Sequence, residues 1–399
     1  MSASQFDELK ASLESLGPRG ALEALAASLR EQKKYPQLFE ALLMKKRQEL
    51  GLPLVGADVF RDLPEAQQAE VEDYYVGVCR ELGSLYLADG DIASAWPYFR
   101  AIDEPQKVAE ALDRWRPPAP ESSGSTEPSV ASTDAIVDIA LYQGANPQRG
   151  YELVLSEYGV CRAITVIEHQ FPHSSEVKEK CAEMLLRRLH KDLVENLRAD
   201  IRRKEETPPE ETDVRKLIDG RPWLFGDYGY HVDVSHLQSA IRVAGGVRKK
   251  EVLELALQLT EYGRKLPRDF QTNDRPPFDD FYNDYRIFLQ ALAGIGADGA
   301  VRYFTQKADR FGLDEDGKHF PGEILVLLLH RLGRYAEAVD AHIKYLAGCR
   351  GPLLAAPTLF ELSSLAKDYS KLLEQAVARD DLLQFAAGLI AERAEVPPD

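Results

Sequence analysis

Between Cys79 and Phe99 the chain reads as one helix, a tight turn and a second helix folded back on the first. Tyr74, Tyr75, Val78, Leu82 and Leu85 recur at the spacing that places apolar side chains on one helical face. The run Leu87-Ala88-Asp89-Gly90-Asp91 breaks that pattern with turn residues, and a new helix starts at Ile92. Gly83 and Ala95 are small, so two antiparallel helices can approach closely where they cross, with Tyr86 and Phe99 filling the space around the crossing. Such a hairpin leaves an apolar face that only a neighbouring hairpin can cover. An all-α array of stacked hairpins is therefore expected.

The rest of the chain keeps that rhythm. Phe6, Leu9, Leu13 and Leu16 mark a first helix, which Gly17-Pro18 should stop. Leu22, Leu25, Ala26 and Leu29 mark a second, and Leu38, Phe39, Leu42 and Leu43 a third. Pro105 opens a helix that runs to Trp115. From 117 to 132 the composition turns to Pro, Ser, Gly and Glu, which cannot build a core and reads as a flexible linker. The expected organisation is an N-terminal helical segment over 1–116, this linker, and a C-terminal hairpin array over 133–399. In the array, Asn146-Pro147 begins one helix. Val177 to about Arg203 forms another, with a far end so charged that it should project or lie exposed. Gly220 to Ser235 departs from the pattern. Its glycines alternate with Trp223, Phe225, Tyr228 and Tyr230, as in a structured loop or short hairpin. Ser235 with Gln238 then suggests a capping box for the next helix.

The opening hairpin resembles the tetratricopeptide repeat, a unit of about 34 residues with the pattern W-x2-L-G-x2-Y…A-x3-F. Leu82, Gly83, Tyr86, Ala95 and Phe99 stand at matching positions over residues 79–105, with Cys79 where the pattern has Trp. A second unit over 322–350 matches more sparsely, with Leu325, Val326, Leu329, Ala338 and His342 at the Leu, Gly, Tyr, Ala and Phe positions. The resemblance implies an α-solenoid of antiparallel hairpins with a concave face that binds a peptide or protein segment, and the loop over 220–235 is expected to be its one central irregularity. It assigns no individual binding residue.

Composition narrows the class further. The net charge of −16 opposes a nucleic-acid footprint, which needs a basic patch. Cys79, Cys161, Cys181 and Cys349 form no CxxC pair, so neither a zinc knuckle nor a disulfide framework is indicated. The N-terminal residues lack a basic stretch followed by an apolar one, and the longest apolar run, Ile324 to Leu329, is too short to span a bilayer. A cytoplasmic protein without a membrane segment or cofactor is expected.

Five constellations bear on chemistry. His231, Asp233 and His236 combine imidazole and carboxylate donors that suit zinc or ferrous iron. Against that, Asp233 or Ser235 can cap a helix and His231 can bond to backbone. Glu168-His169 to His173 lacks the HExxH order of a zincin helix, and Pro172 breaks it. Asp314 to Gly317 lacks the later ligands of a calcium loop. Gly245 to Lys250 puts glycines before a basic helix start without the Walker spacing. Asp279 to Tyr285 mixes acids and aromatics, which amphipathic packing explains. The expected function is a non-catalytic interaction scaffold or adaptor. The alternative is a metal-dependent enzyme or metal-stabilised domain centred on His231, Asp233 and His236.

Overall fold

The computed structural model describes residues 3–56, 60, 63–117, 132–169, 171–205, 210–226, 229–271 and 274–395. Among them every regular element is helical, with no β-strand. The chain divides into two compact units, Met1–Glu157 and Tyr158–Asp399.

The first unit begins with α1 (Ala3–Glu31), which is bent where Gly17 adopts φ 73° ahead of Pro18. The expected stop is present there: two helices meet at a kink, with Gly17 in non-helical backbone between them. α2 (Tyr35–Glu49) and α3 (Glu65–Ala88) complete a core of Leu29, Tyr35, Leu38, Leu42, Val78 and Leu82. α3 and α4 (Ile92–Ala101) form the hairpin read from the sequence. Gly90 takes φ 81° in its turn, and the Asp91 carboxylate accepts the Ser94 N–H to cap α4. At the crossing, a Cβ added to Gly83 would lie 2.6 Å from Cε2 of the fully buried Phe99. Ala95 is fully buried as well. The Tyr35 hydroxyl donates to Asp89 at 2.8 Å, which ties the start of α2 to the α3–α4 turn.

The linker expectation falls mostly outside the described residues, but the boundary drawn there is corrected. α5 (Gln106–Arg114) precedes that stretch and α6 (Thr133–Val137) follows it, succeeded by a π-helical turn, Asp138–Tyr142, and α7 (Pro147–Leu153). These later elements belong to the first unit. The Trp96 indole N–H donates to Gln143 Oε1 at 2.6 Å, the Asn146 amide donates to Asp113 at 2.9 Å, and Arg149 donates to the Trp115 carbonyl at 2.9 Å.

The second unit is built on α8 (Gly159–His169) and α9 (Ser175–Lys204). The expectation that α9 projects at its far end is corrected. Leu189, Leu193, Leu197 and Ile201 are buried along its length, with Arg202, Arg203 and Lys204 exposed around them. One apolar residue per turn is enough to seat a helix otherwise covered in charge. Against α9 pack α8, α10 (Val214–Ile218), α11 (Val234–Ala244) and α12 (Lys250–Gly263). The chain then continues through α13 (Phe281–Leu292), α14 (Ala297–Arg310), α15 (Phe320–Arg331), α16 (Tyr335–Leu346), α17 (Leu359–Ala366), α18 (Ser370–Ala378) and α19 (Leu382–Glu395). From α11 to α19 each helix packs on the next. α13 also packs on both α11 and α15, and α17 on α19.

The α15–α16 hairpin buries Leu325, Leu329, Ala338 and His342. Its close approach uses a different glycine from the one the repeat pattern calls for. Val326 occupies the Gly position of the pattern and is buried, while Gly322 lies beneath Tyr345, whose Cβ would be 2.6 Å from a methyl added at residue 322. Gly322 stands four residues, about one helical turn, before Val326.

Candidate functional site

The irregular loop resolves into a short 3-10 turn, Pro222–Phe225, and an extended segment leading into α11; Tyr228 lies outside the described residues. Arg221 grips Glu205 with two bonds, at 2.7 and 3.0 Å, which fastens the loop to the end of α9.

His231 is buried in this loop. Its backbone N–H donates to the Tyr262 hydroxyl at 2.8 Å, and its Nδ1 lies 3.0 Å from the same oxygen. Because that hydroxyl accepts from the backbone, its own proton can point at Nδ1. Nε2, 3.2 Å from Asp200, then carries the ring proton. Burial pulls the His231 pKa down, against the opposing pull of Asp200. Burial also drives the Tyr262 phenol well above its usual range. Asn196 donates to the His231 carbonyl at 2.6 Å, so this residue is held on all its polar groups.

Asp233 is the N-cap of α11, accepting from the N–H groups of Ser235 and His236. That displaces the capping-box expectation at Ser235 by two residues. Ser235 instead donates its hydroxyl to Asp233 at 2.5 Å. Both ring nitrogens of His231 and the Asp233 carboxylate therefore have protein partners. Among the described residues no group of three or more His, Cys, Asp or Glu side chains is arranged to hold a metal ion. The loop fastens α9, α11 and α12 together.

The remaining constellations take structural places. Asp314 and Lys318 close a surface turn through backbone and side-chain bonds. In the Asp279–Tyr285 stretch, Phe281, Tyr282 and Tyr285 are buried, as packing predicts. Asp284, within that stretch, is fully buried and accepts from Tyr303 at 2.6 Å and from Lys307 at 2.7 Å. Burial raises its pKa, while Lys307 and Tyr303 act to lower it. The sequence carries no signal for that knot, because its members come from two helices.

A larger feature is also invisible in the sequence. A groove of about 750 Å3 opens in the second unit, lined by Lys178 and Glu179 of α9, Arg242 of α11, Arg275, Leu327 of α15, and Leu354. Its walls are held by ionised groups acting on backbone. Glu323, 1% exposed, accepts the N–H groups of Leu354 and Ala355 at 2.7 and 2.8 Å. Arg331 donates to the carbonyls of Gly245 and Val247 at 2.5 and 2.6 Å, at the C-terminal end of α11 where a cation is favoured. Burial lowers the Arg331 pKa, with repulsion from Arg248 adding to it. Glu179 accepts the Arg248 N–H at 2.6 Å. On the rim, the Arg275 guanidinium sits 3.4 Å from the centre of the Phe320 ring. Arg242 pairs with Asp274 at 2.9 Å and lies over Phe281. The glycines at 245 and 246 thus end α11 beside this groove. Glu168 and His169, at the end of α8, also line it.

No protein-family model, curated protein or solved structure matches the chain. Among the described residues no helix is long and apolar enough to cross a membrane.

Proposed function

We propose that the protein is a non-catalytic interaction scaffold in the cytoplasm, a tetratricopeptide-like α-solenoid whose concave surface receives a peptide or protein segment. The observation that carries this reading is the serial packing from α11 to α19, each helix resting on the next, with α13 also packed on α11 and α15. Nearest-neighbour stacking of hairpins is the organisation that yields extended binding surfaces in repeat proteins. The groove bordered by α9, α11 and α15 adds to it, because walls pinned by Glu323 and Arg331 need little reordering when a segment binds. The net charge of −16 favours protein partners over nucleic acid.

The test is affinity purification of partners by the full chain from the source cell, run beside a groove variant, Leu327→Arg. A partner retained by the wild type and lost by the folded variant supports the scaffold. Recovery of none at physiological salt rejects it. Metal analysis of the purified protein serves the alternative. A stoichiometric metal, with melting lowered by chelator, would replace the scaffold reading with a metal-stabilised one.

A further inference from the structure

We propose that the groove in the second unit takes an acidic segment, its carboxylates received by Arg275 and Lys178 and its intervening aliphatic side chains by Val243, Leu327 and Leu354. This deepens the scaffold reading and rests on it.

The argument starts from charge. In a chain of net charge −16, a basic partner would be the ordinary expectation. The groove nonetheless carries three cations, Lys178, Arg242 and Arg275. Of its two acids, Glu179 is taken up by Arg248, through the backbone N–H at 2.6 Å and the guanidinium at 3.4 Å, and Glu168 lies 3.9 Å from His169. Of its cations, Arg242 has Asp274. Arg275 and Lys178 are exposed on the rim, and neither has an ion-pair partner among the described residues.

Arg275 is also held ready. Stacking on Phe320 fixes the plane of its guanidinium and leaves the edge N–H groups open, the edge that takes a carboxylate with two parallel bonds. The same lining includes the apolar side chains of Val243, Leu327 and Leu354. Leu354 is 57% exposed, a large apolar side chain presented to solvent on a loop that Glu323 holds in place. Exposed cations beside aliphatic side chains are complementary to a segment in which acids alternate with aliphatic residues.

The test is selection from a random peptide library displayed on phage, against the full chain and against Lys178→Glu/Arg275→Glu. The expected result is enrichment of Asp and Glu beside Leu, Ile or Val, in peptides that the variant does not capture. A selected peptide, measured by fluorescence anisotropy, should bind the variant at least about tenfold more weakly and lose affinity with added salt. Circular dichroism melting at the wild-type temperature confirms that the variant is folded, and Leu354→Ser supplies a second variant that weakens binding without changing charge. Enriched peptides that are neutral or basic, or acidic ones that the charge variant still captures, overturn the acidic assignment while leaving the scaffold standing. Failure to select any peptide overturns the assignment, and partner recovery by affinity purification then decides the scaffold separately.

Discussion

Replacing Gly83 by alanine should push apart the α3–α4 hairpin. The new methyl would meet three atoms of the Phe99 ring at 2.6, 2.8 and 3.0 Å, where carbon atoms normally rest about 3.5–4.0 Å apart. Phe99 is fully buried, so the ring cannot swing into solvent. Overpacking of this kind costs about 1–3 kcal/mol. Alanine returns up to about 1 kcal/mol through its better helix propensity. Set against a return of about 1 kcal/mol, the net expectation is a loss of up to about 2 kcal/mol. Phe99→Leu alone is also destabilising, since it leaves a void. Combined with Gly83→Ala the smaller side chain relieves the clash, so the double variant should be more stable than the sum of the singles by about 1 kcal/mol. Urea unfolding followed by tryptophan fluorescence measures this. A Trp223→Phe background leaves Trp96 and Trp115, both in the first unit, as the reporters. Additivity within about 0.3 kcal/mol, or a stabilising Gly83→Ala, would refute the steric account of the crossing.

Other perturbations follow from the same structure. Gly150→Ala should be more harmful than Gly83→Ala, by a total cost of about 3 kcal/mol, because its methyl would meet the Leu141 backbone N at 2.6 Å and backbone cannot yield as a ring can; the same unfolding assay reads it. His342 is buried, and desolvation, followed by Arg379, holds its pKa down at about 4. The unfolded chain therefore binds a proton that the folded chain does not between pH about 6.5 and about 4, so His342 should withdraw about 3 kcal/mol of stability as pH falls through that window. Its Nδ1 has no hydrogen-bond partner among the described residues, so His342→Phe should flatten that part of the pH–stability curve with little loss at neutral pH; an unchanged slope would reject the assignment. Glu323→Ala should cost about 2 kcal/mol and speed amide exchange at Leu354 and Ala355, which lose their shared acceptor. Asp233→Ala should cost about 1 kcal/mol through the lost cap of α11 and leave the metal content of the protein as it was; a drop in bound metal would revive the metal reading.

Periodicity and turn chemistry in the sequence are sufficient for the helical class, for the α3–α4 hairpin, and for the helix break at Gly17-Pro18 and the cap at Asn146. These depend on residues within a few positions of one another, so the information is local. The burial of α9's far end is not legible in this way, because a stripe of Leu193, Leu197 and Ile201 inside a charged helix has meaning only once α12 and the Arg221 loop lie against it. Nor is the return of 133–157 to the first unit, which rests on pairs such as Trp96 with Gln143 that are far apart along the chain. The Gly322–Tyr345 approach shows the same limit, since a glycine one turn out of pattern is recognisable only when its neighbour is in place.

Site chemistry divides along that line. His231, Asp233 and His236 are close in sequence and invite a common role. Tertiary packing sends His231 to Tyr262 and Asp200, while Asp233 caps α11 and accepts the His236 N–H. The groove arises in the opposite way, from Lys178, Arg242, Arg275, Leu327 and Leu354, which no spacing connects. Sequence alone determined the elements, because helix formation and capping are contests among near neighbours. Only the tertiary structure decided which charges found partners and which stayed open at the rim, because desolvation and ion pairing depend on what distant segments bring into reach.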